Sequence, residues 1–231
     1  MTAQIHELIY YPSAIESHRI RLGLGLKQVN ITQSSIAYDD DAIFFDLGIA
    51  RKAPVLKAID GELYTDGQEI LWRFDELFPS EVKLVEGVID QAAWQALLTW
   101  RQKVDDELQR LYAPVLLAYD DIGRDERFVK DYKAMVKRHF GISTEALANA
   151  RYDLFNNLAV KTRLQDLATH LAKNRFYMGQ PSIADCLITA DLFPLQLMDG
   201  VSLPVDLLYY FKRVSEVAEV SLAENLLVTI E

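Results

Sequence analysis

KAPVLKAIDGELYTDGQEI, residues 52–70, is the stretch from which the fold is read. Asp60-Gly61 is a hairpin signal, because glycine reaches the left-handed backbone that a two-residue turn needs. Before it, Pro54, Val55, Leu56 and Lys57 read as a strand; after it, Glu62, Leu63 and Tyr64 read as the partner strand. Asp66 then precedes Ile70, Leu71, Phe74 and Leu77 at helical spacing, so residues 66–78 are expected to form a helix.

Working back from the hairpin, residues 5–11 read as a strand that ends at Pro12. Residues 17–27 are ambiguous. Ile20, Leu22, Leu24 and Leu26 alternate with Arg and Gly as in a strand, yet Ile20 with Leu24 and Leu22 with Leu26 are also i,i+4 pairs. Gly23 and Gly25 weaken a helix by roughly 1 kcal/mol each relative to alanine. Residues 29–32 are expected as a second strand, and 39–48 as a loop with a short helical turn. The first 78 residues therefore read β-α-β-x-β-β-α.

Working forward, residues 79–87 are a linker and the pattern turns helical. Residues 88–119 form one long helical pattern through Trp94, Leu97, Leu98, Val104, Leu108 and Leu111, which Pro114 is expected to kink. Further helices are expected over 125–140, 144–171, 182–198 and 205–217. Five helices in sequence imply a bundle.

Composition narrows the function classes. Half of the 231 residues are apolar, enough for a sizeable core. The net charge of −10 repels phosphate backbones and anionic lipid, so neither a nucleic acid nor a membrane is an expected partner. No apolar run is long enough to span a bilayer. The first seven residues lack the basic-then-apolar order of a secretory leader. The single cysteine, Cys186, can make no internal disulfide, which fits a reducing, cytoplasmic location. Four scattered histidines give no metal-ligand spacing, and no glycine-rich phosphate loop is present, so no metal or nucleotide cofactor is expected.

Three motifs in order resemble the cytosolic glutathione transferase superfamily. Ser17-His-Arg-Ile-Arg-Leu looks like the start of that family's first helix, which decides residues 17–27 as helix. Lys52-Ala-Pro-Val-Leu, Asp60-Gly61 and Thr65-Asp-Gly-Gln-Glu-Ile resemble its proline turn, hairpin and Glu-Ser pair. Met178-Gly-Gln-Pro-Ser-Ile-Ala-Asp-Cys resembles the motif that opens a helix of its helical domain. The resemblance covers nearly the whole chain. It implies a thioredoxin-like α/β domain over 1–79 that binds glutathione, followed by an all-helical domain over 88–231. It also implies a homodimer, with glutathione as co-substrate and a hydrophobic electrophile as second substrate.

The resemblance assigns residues as follows. Ala53-Pro54 is expected to carry a cis peptide, with the Ala53 backbone pairing with the cysteinyl part of glutathione as an added strand does. Asp66 is expected to pair with the ligand's amine, while the N–H of Gly67 meets its γ-glutamyl carboxylate. Glycine replaces the usual serine there, which costs one hydrogen bond, about 0.5–1.5 kcal/mol. Asp66 also suits a helix N-cap, and the two roles are compatible. Lys52 is placed to reach the glycyl carboxylate, with Arg51 as a weaker candidate. Ser182 and Asp185 read as a structural capping box. Cys186 reads as a buried apolar residue. Tyr112 and Tyr119 are candidates to line a substrate cavity, against the plainer reading of core residues.

The implied chemistry is attack of a glutathione thiolate on an electrophilic carbon. Lowering a thiol pKa of about 8.5 by about two units takes roughly 2.7 kcal/mol. An ungapped count back from Arg21 puts the family's Ser/Cys donor on Ala14, with Ser13 one residue early; the same count puts its Tyr donor on Tyr10. Three donors therefore stay open, in the order Ser13, Tyr10, then backbone N–H groups at the helix start. The alternative function is a non-catalytic relative acting as a protein-binding module, which Ala14 and Gly67 favour. A glutaredoxin-like redox enzyme would need a cysteine near residues 13–16, and there is none.

Overall fold

A computed structural model describes residues 5–228; residues 1–4 and 229–231, the outer ends of the two expected domains, lie outside the described residues. The α/β part runs β1 (Ile5–Tyr10), α1 (Ile15–Leu26), β2 (Thr32–Ser35), α2 (Ala42–Asp46), β3 (Val55–Ala58), β4 (Leu63–Tyr64), α3 (Gly67–Trp72) and α4 (Phe74–Leu77). The helical part follows as α5 (Gln91–Gln102), α6 (Asp105–Val115), α7 (Asp120–Gly123), α8 (Glu126–Phe140), α9 (Thr144–Asn149), α10 (Arg151–Thr162), α11 (Leu164–Lys173), α12 (Ile183–Leu192) and α13 (Val205–Ala218). The fold class is thus as the sequence implied: a small thioredoxin-like α/β unit, then helices.

The four strands take the order β2-β1-β3-β4, with β1 and β2 parallel and the other pairs antiparallel. The hairpin turn stands where Asp60-Gly61 placed it, and Gly61 has a φ of 89°. The peptide between Ala53 and Pro54 is cis.

The helix α1 explains its own ambiguous sequence. It is buried on nearly every side, including Ser17, His18, Arg19 and Arg21. A helix enclosed all round has no polar face and hence no amphipathic period. Its glycines are contact points: a Cβ at Gly23 would lie 2.7 Å from the Phe74 ring, and one at Gly25 would lie 2.0 Å from the Ala218 carbonyl oxygen.

The second strand begins later than expected, at Thr32 rather than Val29. Gln28 is left-handed (φ 56°) and donates to the Gly25 carbonyl at 2.9 Å, while the Val29 N–H donates to that of Leu24 at 2.9 Å. This double closure of a helix end takes Val29 out of the sheet. Among the helices, the expected 88–119 pattern breaks at Lys103–Val104, not at Pro114. Pro114 sits in the last turn of α6, one residue from its end, so the donor it lacks ends little helix. The expected 144–171 helix is interrupted at Ala150 and at Arg163, where φ is 52°. The 66–78 helix is broken at Arg73, and 182–198 ends in a 3-10 turn from Phe193.

One apolar core runs through both parts, from Leu8 and Leu56 of the sheet through Ile20 and Leu24 of α1 to Ile188 of α12 and Phe211 of α13. At its centre Asp191, fully buried, accepts from Arg19 (Nε, 2.8 Å) and from Arg101 (Nε, 3.0 Å). Tyr112 donates to the Asp191 carbonyl at 2.7 Å. A second buried carboxylate, Asp185, accepts from the Ser182 N–H (2.9 Å) and hydroxyl (2.8 Å), the Tyr177 N–H (2.8 Å) and the Tyr210 hydroxyl (2.6 Å). The expected capping box is present.

Candidate functional site

Between β1 and α1 the chain makes a tight turn, closed by the Ala14 N–H on the Tyr11 carbonyl at 3.0 Å. Ala14 is the N-cap of α1 and has no side chain with which to cap it. The N–H groups of Ile15 and Glu16 are therefore unclaimed by a cap, a setting that favours a negative charge. Pairing of Ile9 with Val55 sets the Ala53-Pro54 segment beside this turn. Pairing of Leu56 with Tyr64 sends the chain out of β4 toward the Pro54 end of β3, where α3 begins. Gly67, the first residue of α3, is buried against the first turn of α1: a Cβ there would lie 3.1 Å from Glu16 Oε2. The segments around residues 13–16, 52–54 and 66–67, far apart in sequence, thus meet at one end of the sheet.

Each candidate residue has a definite place there. Asp66 caps α3 with one oxygen, Oδ1, which accepts from the Gln68 and Glu69 N–H groups at 2.9 and 3.0 Å; Oδ2 is not used in the cap. Lys52 is exposed and forms no ion pair among the described residues. Arg51 is occupied: it donates to the Tyr38 carbonyl and to the Tyr11 hydroxyl (3.0 Å) and pairs with Asp41 at 3.2 Å. Of these two cations Lys52 is the one without an ion pair among the described residues. Tyr10 lies in the main core with the Arg21 guanidinium 4.9 Å above its ring, and burial pushes its hydroxyl pKa up.

Ser13 is buried, and its single hydroxyl proton is committed. Its Oγ donates to Asp121 Oδ2 at 2.6 Å, and its N–H reaches the same oxygen at 3.3 Å. Burial lifts the Asp121 carboxyl above its ordinary value, against the lowering pull of these two donors. Sequence reading missed Asp121, because an Asp-Asp pair 108 positions from Ser13 looks like a solvated helix start. Close by, Tyr38 packs on Phe128 (5.8 Å between centroids) and Tyr132 (6.4 Å), and Arg51 covers both Tyr11 and Tyr38. Tyr11, Tyr38 and Phe128 are half-buried and offer aromatic surface beside the turn. Tyr112 and Tyr119, the sequence candidates for a cavity wall, are core instead, 2% and 0% exposed. His18, its ring tilted against that of Tyr119 at 5.6 Å between centroids, is fully enclosed; burial first and then Arg21 bring its pKa down to about 3, so it is neutral. A separate cavity of about 770 Å³ opens among α5, α11 and α12, lined by Leu97, Trp100, Leu167, His170 and Tyr177, away from this turn.

The arrangement of sheet, turn and helices is that of the glutathione transferase fold. The chain is similar to glutaredoxin 2 from Salmonella typhimurium, solved in complex with glutathione, at 18% identity and a TM-score of 0.77 over 96% of this chain and 98% of that one. It is similar to a glutathione transferase from Phanerochaete chrysosporium at 13% identity and a TM-score of 0.70, covering 94% and 98% of the two chains. A glutathione S-transferase from Ceriporiopsis subvermispora, in complex with glutathione, gives 14% and 0.69 over 94% and 97%. No family model matches the chain. No curated protein matches it either. At these identities the likeness is one of fold.

Proposed function

We propose that this chain binds glutathione and presents its thiolate to a hydrophobic electrophile. The observation that carries the reading is the meeting of residues 13–16, 52–54 and 66–67 at one end of the sheet. In this reading the Ala53 backbone, beside Pro54, pairs with the cysteinyl part of glutathione. Asp66 Oδ2 takes the amine, the Gly67 N–H the γ-glutamyl carboxylate, and Lys52 the glycyl carboxylate. The thiol then lies toward the Ser13 turn and the start of α1, where N–H groups and the helix dipole favour a negative charge. Tyr11, Tyr38 and Phe128 form the wall that meets the electrophile. No further cofactor enters the scheme.

The likeness to glutaredoxin 2 supports the fold of the site and not its redox chemistry. The one cysteine, Cys186, is buried in α12, and burial pushes its thiol pKa well up. Asp66→Ala tests the assignment: removing a charged partner worth roughly 1.5–3 kcal/mol should weaken glutathione binding more than tenfold in a calorimetric titration. An unchanged affinity would leave Asp66 a cap alone. The scheme also places the protein in the cytoplasm as a homodimer. Its α3–α4 segment would pair with α5 and α6 of the partner subunit, and sedimentation at one chain mass at micromolar concentration would refute that. Among the described residues no helix is long and apolar enough to cross a membrane.

A second reading, a non-catalytic protein-binding module, is favoured by the commitment of the Ser13 proton to Asp121. The thiolate absorbance of a glutathione complex separates the two readings: the transferase has it and the module does not.

A further inference from the structure

The buried carboxylates of this chain follow a rule that one of them breaks. Asp191 holds two arginines. Asp75 holds Lys27 at 2.6 Å and three backbone N–H groups. Asp185 accepts from four donors, two of them hydroxyls. Asp121 is 8% exposed, and no Lys or Arg among the described residues pairs with it. Among the described residues its Oδ1 is buried with no hydrogen-bond partner, and its Oδ2 has only Ser13. The groups around it are Ser13 from the turn, Tyr38 from the loop after β2, Tyr132 from α8, and its neighbours Tyr119 and Asp120. The tyrosines are neutral, with hydroxyl pKa values pushed up by burial, and the negative charge of Asp120 is itself paired with Arg124 at 2.8 Å. An uncompensated buried carboxylate is costly, and such groups concentrate where protons are moved.

The position of Asp121 is also fixed from behind. The C-terminal segment clamps α7, with the Asp120 N–H on the Asn225 carbonyl (2.9 Å) and the Leu227 N–H on that of Ala118 (2.8 Å).

We propose that Ser13 and Asp121 form a proton relay that accepts the thiol proton of bound glutathione, Asp121 being the positioning residue and final acceptor behind Ser13. The inference rests on the glutathione site proposed above. The S–H bond breaks, its electron pair stays on sulfur, and its proton passes to Ser13 Oγ. The Ser13 O–H bond breaks in the same step, and that proton passes to Asp121 Oδ2. One carboxylate charge is lost and one thiolate charge appears. The hydrogen bonds then reverse: the Asp121 carboxyl donates to Ser13 Oγ, and the Ser13 hydroxyl donates to the thiolate. The hydroxyl committed to Asp121 in the free protein thereby becomes the thiolate's donor. The lifted pKa of Asp121 makes it the stronger base for this exchange.

The relay has a signature that a structural role lacks, because the thiol proton stays inside the protein. Full-length wild-type protein with glutathione at neutral pH should show the ultraviolet thiolate band with almost no proton released to solvent. The calorimetric heat should then be the same in buffers of different ionisation enthalpy. Asp121→Asn keeps the shape but cannot take the proton, so its band should vanish or appear only with one proton released per thiolate. A wild-type complex that releases one proton per thiolate overturns the relay, and that measurement stands even if the variant fails to fold. An unchanged band without proton release in Asp121→Asn overturns it as well. Binding heat without a thiolate band overturns the relay and leaves the glutathione site standing. No heat in any buffer overturns both.

Discussion

Removing the Glu16 carboxylate should tighten glutathione binding. Glu16 Oε2 lies 3.1 Å from where a Cβ on Gly67 would be, so this side chain fills the space that a serine would take. It also sets a negative charge beside the N–H to which the ligand's γ-glutamyl carboxylate is assigned. Two such charges about 5 Å apart at a surface-like dielectric of about 20 repel by roughly 3 kcal/mol before screening. The Glu16 side chain is 40% exposed, and Arg19 Nη1 stands 3.9 Å from its other oxygen. Solvent and the arginine together reduce the penalty to about 1 kcal/mol, close to fivefold in Kd. Calorimetry on Glu16→Ala should show that gain, and the gain should shrink as salt is added. Glu16→Gln, which keeps the bulk, should recover most of it if charge is the cause. Equal or weaker binding by Glu16→Ala would refute the reasoning.

Three further outcomes concern stability. Asp191→Ala leaves Arg19 and Arg101 without their shared partner in the interior, and should cost about 3–5 kcal/mol in chemical denaturation. A loss under about 1 kcal/mol would mean that water replaces the carboxylate. Burial raises Asp75, but Lys27 and three backbone N–H groups outweigh it and hold its pKa below the ordinary value. Its contribution is therefore complete above the unfolded carboxylate pKa of about 3.9 and is lost as pH falls through the lower folded value. Asp75→Asn should flatten that acid limb of the stability profile, and an identical limb in the variant would contradict the assignment. Gly25→Ala forces a Cβ to within 2.0 Å of the Ala218 carbonyl and should lower the melting temperature by several degrees. An unchanged melting temperature would mean that α1 and α13 part freely.

The signals that were legible in the sequence were local ones. Asp60-Gly61, Asp66 before its helix and the Ser182–Asp185 box each work within a few residues, and each stands where its chemistry placed it. Residues 17–27 were opaque for a physical reason: enclosure on all sides erases the polar face from which a helix is recognised. Val29 was misplaced because a helix end needing two backbone donors competed successfully with the sheet. At the site the limit was distance along the chain. Glu16 against Gly67, Ser13 on Asp121 and Arg19 on Asp191 join residues 51, 108 and 172 positions apart. In the sequence each acidic partner reads as an ordinary exposed carboxylate.

The central claim is that the end of the sheet where Ala53, Asp66 and the Ser13 turn meet is a glutathione site. A calorimetric titration of the wild-type chain with glutathione tests it most directly. A saturable heat with one site per chain and a Kd in the micromolar to millimolar range is the predicted result. No heat at several millimolar glutathione would contradict it, and the fold would then serve a partner other than glutathione.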